Sequence, residues 1–240
     1  FLNLYQAKIL SEFKKKNLFF SEGFMYRYLP HIKKIINIIK NNEIGKVNSM
    51  ESSFGSNLLT KKKFIFFNKR KKIDPKSRLF NRELGGGCIL DLGCYTSSFS
   101  LLIASILKNI NYKNFKVLNV KKVIGETKVD IESEAVISFE GGFESKIKSS
   151  FKNDIGSKSI IYGSEGKIII NNTWHGGSIF KEIKNKTYEI KEKNINRVYS
   201  HQIETVSQSL LDNLVQPYFP GISLEETLLN TKILEEWFNA

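Results

Sequence analysis

The 240 residues are 41% hydrophobic and 25% charged, an ordinary globular composition that allows one large domain or two small ones. The formal charge of +13 suggests nucleic acid, but only five of the 37 cations are arginine (Arg27, Arg70, Arg78, Arg82, Arg197), and readers of bases and phosphates favour the guanidinium fork, so no nucleic-acid partner is expected. No apolar run comes near the roughly 20 residues of a membrane span, no secretory signal is seen, and two cysteines with three scattered histidines make neither a disulfide framework nor a metal site, so a cytoplasmic protein without membrane or metal is expected.

Taken along the chain, Asn3 can cap an amphipathic helix to about Lys16, with Leu4, Ala7, Leu10 and Phe13 along one side. Leu18 to Phe24 reads as a short apolar strand. Pro30 suits the first turn of the next helix, which carries Ile32, Ile35, Ile36 and Ile39 at helical spacing and can end at Gly45. Val47 to Phe54 alternates as a strand does. The run Lys61 to Lys72 interleaves seven cations with aromatic residues. It reads either as a single-strand or anionic-surface binder or, as the blander choice, as a lysine-protected edge or loop.

The sequence Gly85-Gly86-Gly87-Cys88-Ile89-Leu90-Asp91-Leu92-Gly93-Cys94-Tyr95 follows. Three glycines let backbone pass where a Cβ would clash. A helix from Asp91 to Leu107 would stack Asp91 and Tyr95 on one face. Two readings stand: a glycine turn before a core helix, with Asp91 as its cap, or the wall of a small-molecule site in which Tyr95 handles a proton. Beyond it, Val117–Lys128, Ile131–Phe139, Phe143–Phe151, Lys158–Tyr162 and Lys167–Ile170 read as successive strands joined by glycine turns. Two helices close the chain: about Ser200 to Leu214, and one after Ser223, where Ser223 and Glu226 form a capping box.

The resulting class is α+β, with a large open, mostly antiparallel or mixed sheet and helices on one face. An opening helix and strand without partner strands cannot bury both faces, and no Gly-x-Gly-x-x-Gly opens a βαβ unit. The chain is therefore expected to begin inside a larger α/β domain whose earlier portion is absent.

The stretches Glu22 to Pro30, Glu43 to Val47, Arg78 to Tyr95 and Tyr162 to Gly166 together resemble the Gfo/Idh/MocA oxidoreductases over nearly the whole chain. The tyrosine at 95 is similar to the branch holding dimeric dihydrodiol dehydrogenase, glucose–fructose oxidoreductase and NADP-dependent xylose dehydrogenase; the inositol dehydrogenase branch has histidine there. The resemblance implies that residues 1–29 are the last helix and strand of a truncated Rossmann domain and 30–240 a substrate-binding and dimerisation domain. It implies hydride transfer between NADP or NAD and a hydroxyl of a sugar, polyol or dihydrodiol. It makes Tyr95 the acid/base, with Asp91 orienting substrate. It puts Arg27 and Gly86 at the cofactor, and Trp174, Gly87 and His175 in the substrate pocket. For Arg27 an ion pair between domains is the competing reading; for Trp174 and His175, a sheet-face aromatic and a surface histidine. A small-molecule substrate and a homodimer through the sheet face are implied. The family's Glu-Lys-Pro lysine, which would lower the Tyr95 pKa, falls before Phe1. The chain is then expected to be the substrate-side two-thirds of such an enzyme, inactive by itself. The alternative is a non-catalytic sugar-binding or dimerisation module.

Overall fold

The computed structural model describes residues 3–9, 12, 17–64, 67–191 and 197–240, with backbone alone for 62–64, 67 and 68. One sheet of eight strands organises the chain, in the order β10-β9-β8-β7-β1-β6-β5-β4. Its strands are β1 (Val47–Gly55), β4 (Asn111–Ile124), β5 (Asp130–Glu140), β6 (Phe143–Ser150), β7 (Ser159–Gly163), β8 (Gly166–Ile170), β9 (Ile179–Ile183) and β10 (Lys186–Ile190). β1 lies parallel to β6; every other neighbouring pair is antiparallel. β2 (Thr60–Phe64) and β3 (Phe67–Arg70) pair only with each other, so the lysine-rich segment is a hairpin rather than an irregular loop. Its tip, with residues 65 and 66, lies outside the described residues.

Alternation along the strands separates two faces. Met50, Ile137, Phe139, Phe143, Ile147, Ile161 and Ile168 point inward and are buried. Over them lie α2 (Pro30–Lys40), α3 (Cys94–Ile106) and α5 (Leu224–Asn239). α2 forms as expected, with Pro30 in its first turn and Ile32, Ile35, Ile36 and Ile39 buried; it ends through Asn42 in the left-handed region, before Gly45 is reached. α5 carries the expected capping box. α1 (Leu4–Ile9) is capped by Asn3, whose Oδ1 accepts from the Gln6 amide at 2.9 Å; the rest of the helix expected to Lys16, Leu10 and Phe13 included, falls almost wholly outside the described residues. α4 (Val198–Leu211) lies against the 3₁₀ turn Met25–Tyr28.

Two expectations fail. Leu18 to Phe24 is not a strand: among the described residues no strand pairs with it, and its one long-range backbone bond runs from the Phe20 amide to the Val215 carbonyl at 2.9 Å. Also, Arg82–Ile106 does have the length and hydropathy of a membrane span. The fold cuts that run into a 3₁₀ turn, a π turn and the 13-residue α3, and 61% of its most apolar window is buried inside the chain, as for a core helix.

Candidate active site

Tyr95 stands in the first turn of α3, its ring among five aromatic side chains that four different segments supply. Phe24 and Phe54 approach edge-on at 5.4 Å between centroids, Trp174 lies at 5.7 Å and Tyr26 at 6.0 Å; Phe99, one helical turn on, closes the cluster against Tyr26 and Trp174. Phe54 comes from the end of β1, Phe24 and Tyr26 from the crossover before α2, and Trp174 from the loop between β8 and β9. The ring is half-buried, and its hydroxyl faces the Met25 sulfur at 3.9 Å. Burial pushes the phenol above the ordinary tyrosine value, with Cys94, Tyr199, Asp91 and Tyr26 adding to the rise.

Asp91 does not sit in an α-helix below Tyr95. Ile89–Gly93 is a π turn, a widened geometry common at functional positions, and the α-helix starts only at Cys94. Gly93 lets the ring of Trp237 approach to where a Cβ would be 2.7 Å from it. The Asp91 carboxylate takes an ion pair from Arg78 Nη2 at 2.5 Å while remaining near enough to Tyr95 to disfavour tyrosinate. The stacked-pair geometry of a regular helix is therefore corrected, though the two residues remain electrostatic neighbours.

The glycines serve the chain's own packing. A Cβ at Gly86 would lie 2.7 Å from the carbonyl oxygens of Arg78 and Asn81, and the Gly86 amide donates to Asn81 O at 2.8 Å. Gly87 has φ +115°, and a Cβ there would collide with the Asp130 carboxylate. Asp130, buried at the start of β5, accepts the Ile89 amide through Oδ2 at 2.7 Å. The backbone faces given above to cofactor (Gly86) and to substrate (Gly87) are thus filled by this chain.

Arg27 is wholly buried. Its Nη1 donates to Glu226 Oε1 at 2.9 Å and to Pro220 O at 3.3 Å, Nη2 to Ser98 O at 2.9 Å, and Nε to Ser98 Oγ at 3.2 Å. The guanidinium joins the crossover, α3 and α5. The ion-pair reading of this residue holds, within one packed unit. The donors of Arg27 and the amide of Gly86 are thus engaged within this chain.

Trp174 is fully buried, its indole Nε1 without a partner among the described residues. It backs Tyr95 from behind instead of lining an open pocket. His175 is exposed, its ring 6.3 Å from Phe54, at the rim of the same cluster. His31 Nε2 meets Thr173 O at 3.1 Å and braces that loop. Among the described residues no group of three potential metal ligands occurs.

Sequence reasoning missed Phe54, Met25, Ser98, Glu226 and Asp130. Glu226 was visible only as a capping residue, and its partner Arg27 lies 199 positions away. The one available signal was the Tyr26-Arg27-Tyr28 triplet before Pro30, where a cation between two aromatics calls for a buried anion.

Comparisons with known proteins bear on the fold and the family. Residues 32–169 match the model of the GFO/IDH/MocA C-terminal domain. The chain is 25% identical over 236 residues to a trans-1,2-dihydrobenzene-1,2-diol dehydrogenase of Xenopus tropicalis, an alignment covering 95% of this chain and 64% of the relative. It is 22% identical over 166 residues to a dTDP-3,4-didehydro-2,6-dideoxy-alpha-D-glucose 3-reductase of Saccharopolyspora spinosa, covering 69% and 44%. Among solved structures, the aldose-aldose oxidoreductase of Caulobacter crescentus complexed with glycerol has the same fold, with TM-score 0.78 at 16% identity over 100% of this chain and 67% of that one. A 3-ketoreductase of Actinomadura kijaniata in complex with TDP-benzene and NADP gives 0.74 at 15%, over 98% and 65%. The chain thus spans a little under two thirds of the first of these relatives.

Proposed function

We propose, on the premise that this chain belongs to the Gfo/Idh/MocA family, that it is the substrate side of an NAD(P)-dependent oxidoreductase acting on a hydroxyl of a sugar, polyol or dihydrodiol. Residues 30–240 form the substrate-binding part, and residues 1–29 lead into it from the nucleotide-binding side. The observation that carries this reading is the hydroxyl of Tyr95, held on an aromatic floor with a thioether as its one hydrogen-bond partner among the described residues. A structural tyrosine so buried ordinarily finds an oxygen or nitrogen partner; this one is left to a ligand. In the reaction the nicotinamide would take or give the hydride. Tyr95 accepts or returns the hydroxyl proton, Phe54 and the buried Trp174 fix the ring, and His175 sits where it can reach a substrate's outer hydroxyls. Burial, reinforced by Cys94, Tyr199, Asp91 and Tyr26, favours the protonated Tyr95. A cation brought to its hydroxyl from outside these residues, as in the family's Glu-Lys-Pro motif, would make it a usable base.

The test is Tyr95→Phe with the nucleotide-binding portion in place. Removing an acid/base group costs on the order of 10²- to 10⁴-fold in kcat while the melting temperature stays put. Undiminished oxidation of diols or aldoses by that variant would end the proposal.

A second part of the reading concerns the sheet's outer face and a homodimer. Cross-strand pairing lines up Val136, Lys146, Glu51, Ile160, Ile169 and Phe180 across six strands. This gives a partly apolar row with an internal Lys146–Glu51 ion pair at 3.7 Å, which suits a second copy. Sedimentation of Ile160→Asp against the parent chain tests it: a parent dimer that becomes monomeric supports the face, and a monomeric parent removes it.

A further inference from the structure

The ribbon of β2 and β3 carries charge that works against its own stability. Among the described residues the two strands pair only with each other, and their register sets Lys61 opposite Lys69. A two-stranded ribbon is marginal by itself, and like charges face to face weaken it further. Lys61, Lys69, Arg70, Lys71 and Lys72 are all exposed. Among the described residues only Arg70 of these five has an ion pair, from Nη2 to Glu126 Oε1 at 2.5 Å. Protection of a sheet edge does not account for this charge: the open edges of the eight-stranded sheet are β10 and β4, and the ribbon is hydrogen-bonded to neither.

The base of the ribbon is firmly held. Leu58 and Leu59 pack on the cluster of Cys88, Val129, Ile131 and Phe151. The Leu58 amide donates to Phe151 O and the Lys71 amide to Leu59 O, both at 2.8 Å, and Asn57 Oδ1 accepts the amides of Leu59 and Thr60. The cations are thus presented from a fixed support.

Apolar groups flank them on two sides. The Arg70–Glu126 pair brings the turn between β4 and β5 beside the ribbon. That turn adds exposed Lys128, and the strand entering it leaves Ile124 57% and Val123 38% exposed. At the far end of the ribbon the register pairs Phe64 with Phe67. Cations set among apolar residues suit a lipid interface, where ammonium groups meet phosphates while apolar side chains enter the headgroup boundary. A nucleic acid fits less well, because the one arginine is engaged by Glu126 and lysine lacks the planar fork. A second copy would have to bring carboxylates to the ribbon from a chain of net charge +13.

We propose that this basic ribbon, with the β4–β5 turn beside it, docks on an anionic phospholipid surface. Such a contact is peripheral and needs no membrane-spanning segment. It stands independently of the oxidoreductase reading.

The test is co-sedimentation of this chain with two kinds of vesicle at physiological ionic strength: phosphatidylcholine alone, and phosphatidylcholine mixed with phosphatidylserine. The chain binds the mixed vesicles and not the neutral ones. Each cation at an anionic leaflet is worth about fivefold in partitioning, so Lys61→Gln with Lys69→Gln weakens binding by roughly 25-fold. That pair of substitutions relieves the cross-strand repulsion, so the melting temperature does not fall. Lys184→Gln with Lys186→Gln removes the same charge at the β9–β10 turn, by the opposite edge of the sheet, and leaves binding unchanged. No binding to the mixed vesicles, equal binding to both kinds, or an equal loss from the two pairs of substitutions overturns the proposal. A single-stranded oligonucleotide bound more tightly than the mixed vesicles through Lys61 and Lys69 makes nucleic acid the occupant. A dimer of the chain that Lys61→Gln with Lys69→Gln dissociates makes it a second copy. Either result also overturns the lipid assignment.

Discussion

The crossover Glu22–Tyr28 and the turn Gly85–Gly93 both press on Tyr95, yet the first is held by charge and the second by the absence of side chains. In the crossover a buried cation is neutralised by Glu226 and its remaining donors are met by Ser98 and Pro220; the Tyr26 hydroxyl joins the same Ser98 Oγ at 3.0 Å. In the glycine turn the backbone lies so close to Arg78, Asn81, Asp130 and Trp237 that a methyl group cannot be added. A buried ion pair places a segment through long-range chemistry and tolerates small shifts of backbone. A glycine contact places it by shape and tolerates none. One site wall therefore fails when a charge is left alone, the other when volume is added.

Breaking the charge-held side should have the largest effect. Glu226→Gln keeps the volume and the bond to the Ser223 amide but leaves Arg27 wholly buried with no anion. Uncompensated buried charge costs about 3–5 kcal/mol, which for a chain of this size lowers the melting temperature by about 10 °C. A shift of only a degree or two, measured by calorimetry, would mean that Ser98 and Pro220 suffice for the guanidinium.

The shape-held side is next. Gly87→Ala puts a Cβ against the Asp130 carboxylate at a φ of +115° that L residues rarely adopt. Strain and overlap together cost about 3 kcal/mol, and unfolding in urea should show it. If Asp130→Ala added to Gly87→Ala recovers none of that loss, the carboxylate is not the obstacle and the left-handed backbone alone sets the cost.

This division also decides what could be read in advance. Local rules were enough for the Asn3 cap, the Pro30 helix and its isoleucines, the strands β5 to β8, and the Ser223–Glu226 box, because each is written within a few residues. β9 and β10 were legible in principle: Ile179 to Ile183 and Lys186 to Ile190 flank Lys184-Asn185, both at positive φ. A two-residue turn of that kind is usually announced by glycine, which is absent here. The π turn at Ile89–Gly93 depends on Trp237 and Asp130, more than 35 positions away, and the strand expected at Leu18–Phe24 failed because hydrophobicity reports burial and cannot supply a hydrogen-bonding neighbour. Within the site, the residue types that bear chemistry were visible, Tyr95 and Asp91 above all. What surrounds them was not, since the packing of Phe54, Trp174 and Arg27 is set by contacts between distant segments.

The smallest predicted effect sharpens the charge-held side. Glu22, at the start of the crossover, accepts a bond from Thr227 Oγ1 at 2.9 Å. Burial holds its carboxyl above the usual range, a rise that this bond and nearby Arg27 only partly offset. A raised folded-state pKa means the folded chain keeps a proton that the unfolded chain gives up. The associated stability is present in full below the ordinary carboxylate pKa and is lost as pH rises through the folded value. Glu22→Gln removes this titration and can retain the Thr227 contact through its amide oxygen. Melting temperatures of variant and parent should then lie closest in acid and diverge in the variant's favour toward neutral pH. A gap independent of pH would show that the Glu22 carboxyl binds its proton equally in the folded and unfolded chain, so that Thr227 and Arg27 offset its burial in full.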